Sequence, residues 1–241
     1  VIESDTYGYD DADDSVNEQD LYAYIVRYLV GEDQDRRIDA LNLIRYLECD
    51  PRLADLLLAL ARHDNAEWRL IGIQALGAWR HSDGVALLIE MFERPMDAEM
   101  EEAAILSIGQ IGGIDALQFL RDYATRRYHD HADQADVLGM AALEGIAQIA
   151  QHGHAEAVQF LLQSCGHAAW NMREVSADCL GTIYGGKESI PRIVYDTLVT
   201  LSKDDNKDVR IAAYMSLDAI VGLDEENKKK LLEARQKQIF G

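Results

Sequence analysis

The sequence predicts an all-α solenoid, and three observations predict it. One short pattern recurs six times at intervals of roughly 32 to 37 residues, the spacing of stacked two-helix units. The apolar residues between recurrences keep a helical period. Only three prolines interrupt 241 residues, of which 48% are hydrophobic, enough for one continuous core.

The recurring segments are Asp35–Leu47, Glu67–Trp79, Glu99–Ile111, Gln134–Ile146, Asn171–Ile183 and Asp208–Ile220. Each opens on an acid or amide. A charged residue follows at Arg37, Arg69, Glu101, Asp136, Arg173 and Arg210. A small residue comes next, at Ala40, Gly72, Ala104, Gly139, Ser176 and Ala213. Then come an aliphatic column, Ile44, Leu76, Ile108, Leu143, Leu180 and Leu217, and a closing column, Leu47, Trp79, Ile111, Ile146, Ile183 and Ile220. Offsets of three and four keep these columns on one side of a helix, here named helix B. The small residues and Gly77, Gly109 and Gly181 suit the close approach of a neighbouring helix. Asp35, Asn171 and Asp208 are placed to cap the first turn.

A second apolar stretch, helix A, precedes each segment: Leu21–Leu29, Leu53–Ala61, Val85–Phe92, Ile114–Tyr123, Ala155–Leu162 and Ile193–Leu201. Leu53, Leu56, Leu57 and Leu60 meet the i, i+3, i+4, i+7 template. Gly112-Gly113 and Gly185-Gly186 break the chain between units.

Asp-Val-Arg-Ile-Ala-Ala-Tyr-Met-Ser-Leu-Asp-Ala-Ile (208–220) and Glu-Trp-Arg-Leu-Ile-Gly-Ile-Gln-Ala-Leu-Gly-Ala-Trp (67–79) resemble HEAT repeats. Ile108-Gly109-Gln110-Ile111-Gly112 is most similar to the HEAT-like repeats of phycobilisome lyases and related bacterial proteins. The resemblance spans residues 21–223 and implies a right-handed α-solenoid of about six HEAT-like helix pairs. It also implies a ladder of Asp and Arg between repeats, matched by Asp35, Asp208, Arg37, Arg69, Arg173 and Arg210. Glu101 and Asp136 depart from it, so the ladder should be interrupted at the middle repeats, with a bend or altered twist there.

Outside the repeats, residues 1–20 hold several acids and no Lys or Arg, and read as a flexible acidic tail. Residues 224–241 mix Lys228, Lys229, Lys230, Arg235 and Lys237 with acids, and read as a capping helix with a polar outer face.

The net charge of −20 opposes binding to a phosphate backbone. No uncharged apolar run is long enough to span a bilayer, and no secretory apolar core opens the sequence. Cys49, Cys165 and Cys179 are few, odd in number and scattered, which suits reduced thiols and a cytoplasmic location.

The sequence offers no catalytic motif: no phosphate loop, nucleophile elbow or His-Glu-x-x-His pattern. The deoxyhypusine hydroxylases, HEAT-repeat enzymes, hold two irons on His-Glu pairs, and this chain has no such dipeptide. The HEAT-like alkylpurine DNA glycosylases need a basic groove. His129-Asp130-His131 and His152-Gly153-His154, expected in turns on either side of one helix B, lie about 20 Å apart and cannot share a metal. Neither metal nor cofactor is expected. The likeness to bilin lyases implies a pocket for an acidic tetrapyrrole, for which Arg45, Tyr46, Trp79 and Arg80 are available; Trp68 and Trp79 also fit simple core packing.

The expected function is therefore a non-catalytic adaptor or scaffold that binds another protein on its concave surface. The alternatives are a phycobilin lyase or chromophore-handling assembly factor, and an acidic inhibitor or immunity-type protein for a basic partner. The B-helix face away from the core columns includes Leu70, Gln74, Leu106, Gln110, Val137, Ala141, Glu144, Asp178, Ile211 and Met215, with Glu102, Glu174 and Asp218 among them. Leu70, Gln74, Leu106, Gln110, Glu144 and Asp178 are the candidate partner-binding residues, and an apolar floor with an acidic rim fits a basic or amphipathic segment.

Overall fold

The computed structural model describes residues 18–44, 51–130 and 136–221, which form twelve α-helices and no strand. They pair as α1 (Glu18–Leu29) with α2 (Gln34–Leu43), α3 (Pro51–Ala61) with α4 (Ala66–Trp79), and α5 (Ser82–Met91) with α6 (Ala98–Ile111). The series continues with α7 (Ile114–Asp130) and α8 (Val137–Gln151), α9 (Ala155–Ser164) and α10 (Trp170–Tyr184), and α11 (Arg192–Leu201) and α12 (Lys207–Val221). Odd helices are the A helices and even ones the B helices of a solenoid. The acidic segment 1–17, the charged segment 224–241, Arg45, Tyr46, Leu47, Cys49, His131 and Gln134 lie outside the described residues.

The aliphatic column is the spine of the core. Ile44, Leu76, Ile108, Leu143 and Leu180 are fully buried and Leu217 nearly so. Each such side chain contributes about 2 kcal/mol, against about 0–1 kcal/mol for an exposed ion pair, so this column dominates stability. The small column faces the A helix of the same repeat: a Cβ on Gly72 would meet the Ala61 backbone N at 2.2 Å. The second glycine column faces the next B helix. A Cβ on Gly109 would meet the Gly145 Cα at 2.4 Å, and one on Gly181 would meet the Ser216 Cα at 2.9 Å.

These approaches let α4, α6, α8, α10 and α12 stack directly on one another. The A helices pack less closely among themselves, chiefly α5 against α7, where Phe92, Phe119 and Tyr123 form an edge-on aromatic group. A two-layer array that is tight in one layer and open in the other is expected to curve toward the tight layer, with the B helices on its inner side.

The sequence reading needs correction at the helix starts. The capping residues lie two positions earlier than expected. Asp33 rather than Asp35 caps α2, accepting from the Arg36 N–H at 3.2 Å. Asn206 rather than Asp208 caps α12, accepting from the N–H groups of Asp208 and Val209 at 2.8 and 3.3 Å. Asn65 and Asp97 do the same for α4 and α6. Asn171 lies inside the first turn of α10, where its side chain accepts from the Met172 N–H at 2.9 Å. Asp35, Glu67, Glu99 and Asp208 thus sit in the first turn of their helices, where a carboxylate meets the positive helix end.

A second correction concerns the fourth repeat. Helix α7 runs to Asp130 rather than Tyr123, so His129 and Asp130 are helical and not in a turn, and α8 starts at Val137 and runs on to Gln151. Arg127, in the last turn of α7, donates from Nε to Asp136 Oδ2 at 2.7 Å, and Asp136 is the N-cap residue of α8. Beside this pair Tyr128 is fully buried, its ring filling the space that Gly139 leaves open. These contacts hold the extra turns of α7 in place.

The arginine column tethers each A–B turn. Arg37 donates to the Gly31 carbonyl at 2.6 Å, Arg69 to His63 at 2.9 Å, Arg173 to His167 and Ala168 at 2.9 Å, and Arg210 to Asp204 at 2.6 Å. Three also reach the next repeat: Arg37 to Glu67 at 3.2 Å, Arg69 Nε to Met100 Sδ at 3.1 Å, and Arg173 in a two-pronged pair with Asp204 at 2.9 and 2.8 Å. The ladder is interrupted at the middle repeats, as the sequence implies. There Glu101 accepts from the Tyr123 hydroxyl at 2.7 Å, and the charge pair runs in reverse from Arg127 to Asp136.

Two variants test this account. Gly109→Ala gains helix propensity but drives a methyl into immovable backbone, so a net loss of about 1–3 kcal/mol is expected in denaturant unfolding. Asp204→Ala strips the Arg173 guanidinium of its carboxylate and the Asn206 N–H of its acceptor, and should cost about 2–3 kcal/mol.

Candidate functional site

The exposed face of the B helices is built by helical periodicity. On α8, Met140, Glu144, Gln148 and Gln151 follow one another at steps of three or four residues, and on α10 exposed Asp178 and Thr182 follow the buried Val175 at the same steps. Where α8 and α10 pack, these residues line a recess of about 360 Å³, with Ala147 and Cys179 at its base. Cys179 is buried and donates weakly from Sγ to the Leu143 carbonyl at 3.6 Å.

Of the residues expected at the site, Gln74, Glu144 and Asp178 are exposed, and Leu70, Leu106 and Gln110 are half-buried. Only Glu144 and Asp178 meet in the α8–α10 recess. Gln110 lies across from Gly77, in the contact between α6 and α4. Ala141 and Ile211 are buried in the helix stack, whereas Val137 is 61% and Met215 40% exposed. Met140, Gln148, Val175 and Thr182 are further lining residues. Steps of three and four from Glu144 and Asp178 are the signal that finds them.

Carboxylates collect along this face. Glu144, Glu174 and Asp178 form no ion pair among the described residues. Helices α6 and α8 contain no Lys or Arg, and the one arginine of α10, Arg173, is held by Asp204. Asp178 touches solvent yet has protein on both sides, and loss of water pushes its carboxyl up to about 6. Glu174 is pushed up to about 7, chiefly by burial, then by the nearby charges of Asp208 and Asp178. Glu144 is raised by burial first and by Glu102 second.

A second recess, of about 440 Å³, lies at the A–B turns of the second and third repeats. It is the larger, but its charges balance, Arg62, Arg69 and Arg94 against Asp64, Glu90 and Asp97, and Arg69 is committed to its own turn. The carboxylate face has the less compensated field.

The remaining candidates give little chemistry. Trp68 and Trp79 are half-buried against the core, with Trp79 beside His81 at a ring distance of 4.9 Å. Arg80 is exposed at the end of α4, in the left-handed conformation. His129 Nδ1 lies 3.0 Å from Asp130 Oδ1, and His152 and His154 flank the turn between α8 and α9. Burial first, then the positive charges of Arg80 and His154, lower the His152 pKa. Among the described residues no group of three or more His, Cys, Asp or Glu could hold a metal ion. Burial pushes the Cys165 thiol up to about 12, which makes it a poor nucleophile. No helix among the described residues is long and apolar enough to cross a membrane.

The family model of HEAT repeats matches residues 53–139, from α3 to the first residues of α8. No curated protein matches the chain. Among solved structures, a designed armadillo repeat protein in complex with peptide (KR)4 is 17% identical, with a TM-score of 0.42 and coverage of 81% of this chain and 97% of that one. The complex of CpcE and CpcF of phycocyanin lyase from Nostoc sp. PCC7120 is 14% identical, with a TM-score of 0.40 and coverage of 98% and 99%. An engineered protein is 17% identical, with a TM-score of 0.41 and coverage of 90% and 61%. The chain is a helix-pair solenoid, and the HEAT match covers its second and third repeats and the A helix of the fourth.

Proposed function

We propose that this protein is a non-catalytic scaffold that binds another protein on the concave face of its B helices. The observation that carries the reading is the run of carboxylates at Glu144, Asp178 and Glu174, set among exposed Val137, Met140 and Met215 on helices almost without cations. A field of one sign over an apolar floor speeds the capture of an oppositely charged partner, and the apolar contacts prolong its stay. The matching partner presents a basic or amphipathic segment. Its footprint centres on Leu70, Gln74, Leu106, Gln110, Glu144 and Asp178, because the central repeats are flanked on both sides and form a continuous floor. An inhibitor that covers a basic protein is a narrower form of the same reading, and a partner that loses its own activity on binding would identify it.

Affinity capture with the wild-type chain, followed by mass spectrometry, supplies the partner, and variants test the site. Glu144→Lys with Asp178→Lys should slow association about tenfold or more at low salt, and the difference should shrink at high salt, where the screening length falls to about 3 Å. Leu106→Asp should mainly speed dissociation. Unchanged affinity in both variants, with unfolding curves like wild type, would remove the concave face as the site.

The raised carboxyl groups add a pH test. As pH falls from about 8 to about 5.5, Glu174 and Asp178 take up protons, the face loses negative charge, and association should weaken. Stability moves the other way. These groups have higher pKa values folded than unfolded, so the folded state binds more protons in that window and gains stability as pH falls through it. Glu174→Gln with Asp178→Asn should flatten both dependences, read as association rate and as Tm.

A further inference from the structure

We propose that the recess at the A–B turns of the second and third repeats binds a carboxylate joined to an apolar body, with Arg69 as its anchor. The site is separate from the B-helix face, and neither reading depends on the other.

Two arginines of one column show what is missing. Arg173 and Arg69 hold their own turns in the same way. Nη1 of Arg173 donates to the carbonyls of His167 and Ala168 at 2.9 Å, and Nη1 of Arg69 donates to those of His63 and Asp64 at 2.9 and 3.4 Å. Each guanidinium keeps a second edge, Nε and Nη2, for the next repeat. On Arg173 that edge is filled by the carboxylate of Asp204, at 2.9 and 2.8 Å. Asp204 stands two residues before the cap residue Asn206. Two residues before the corresponding cap, Asp97, stands Pro95, which has no carboxylate. Arg69 Nε therefore meets the thioether of Met100 at 3.1 Å, a weak acceptor, and Nη2 makes no hydrogen bond among the described residues. The fork is held in place but lacks the partner that its counterpart has.

This fork borders a cavity. Arg69 and Pro95 both line the recess of about 440 Å³, a volume in the ligand-sized range. Leu87, Met91, Met96 and Met100 supply apolar wall for an alkyl chain or a ring. Arg62 and Arg94 also line it, and neither forms an ion pair among the described residues. Asp64, Glu90 and Asp97 keep the recess close to neutral, which disfavours a phosphate dianion. One negative charge suits it, and a planar guanidinium edge matches a carboxylate in two parallel hydrogen bonds.

The full chain, with its methionine methyl groups carbon-13 labelled, is titrated with hexanoate and with N-acetylleucine. N-acetylleucinamide, inorganic phosphate and sodium chloride are the controls. The Met96 and Met100 methyl resonances report binding. A carboxylate should shift them along a saturating curve, with a Kd of about millimolar order for ligands this small. Saturation by hexanoate alone assigns the site to a free alkanoate, and saturation by N-acetylleucine alone assigns it to the chain end of a peptide. Arg62→Gln with Arg94→Gln should weaken binding about threefold, and Arg69→Lys, which keeps the charge but loses the fork, about tenfold. Pro95→Asp supplies the internal carboxylate that Asp204 gives Arg173. It should abolish the shifts while the unfolding midpoint stays at or above that of the wild type.

Shifts that rise linearly with both carboxylates, or that appear equally with N-acetylleucinamide, phosphate or sodium chloride, would overturn the site. So would undiminished binding by folded Pro95→Asp and Arg69→Lys variants.

Discussion

The close approach of successive B helices is the constraint on which the rest of this structure depends. Side chains hold ordinary helices about 8–10 Å apart. Here Gly109 and Gly145 face each other, Gly181 faces Ser216, and Gly77 faces Ser107 and Gln110, so the inner layer closes up. The outer layer has no such device, and its main contact, Phe92 with Phe119 and Tyr123, is made of large rings. Small residues in the B layer and aromatic residues in the A layer favour curvature toward the B helices. The packing of α8 on α10 leaves a recess among the exposed B-helix positions. The glycines cost helix propensity, about 1 kcal/mol each relative to alanine, and the contact they permit offsets it.

Turn tethering is the second level of organisation. In four of the repeats an arginine early in helix B returns to the carbonyls of the turn before it, which fixes how A and B meet. The third and fourth repeats solve the same problem differently. Glu101 takes a hydroxyl from α7, and Asp136 takes a guanidinium from the extended end of α7. The long A helix is therefore the counterpart of the missing arginines. Extending α7 brings Arg127 to Asp136, and the 6% exposed carboxylate of Asp136 could not remain buried without such a cation.

Much of this was legible in the sequence. The aliphatic and small columns predict burial, and Leu76, Ile108, Leu143 and Leu180 are all fully buried. The departure at Glu101 and Asp136 correctly marks where the ladder changes. What local pattern misses is set by distant contacts. The length of α7 depends on Arg127 meeting a residue nine positions on, after a chain reversal. The helix starts shift by two because Asp33, Asn65, Asp97 and Asn206 cap from just outside the aligned columns. At the site, Glu144 and Asp178 can be chosen from their helix faces alone. Their convergence on one recess with Gln148 cannot, because it depends on how α8 lies against α10.

The distribution of charge then follows layer rather than sequence. The chain has 23 Lys and Arg against 43 Asp and Glu, so cations are scarce and their placement is informative. Arg69, Arg173 and Arg210 are spent at the turns, while Arg121, Arg126 and Arg192 stand on the A helices, over Phe160 or beside acids of their own helix. Helices α6 and α8 receive none. Glu174 and Asp178 nonetheless sit four residues apart on α10, a like-charge spacing that destabilises a helix, in surroundings that withhold water. An inner layer that keeps its carboxylates raised and unpaired, while the turns and outer layer hold most of the cations, is not arranged for stability alone. On the proposed reading, the missing positive charge arrives with the partner.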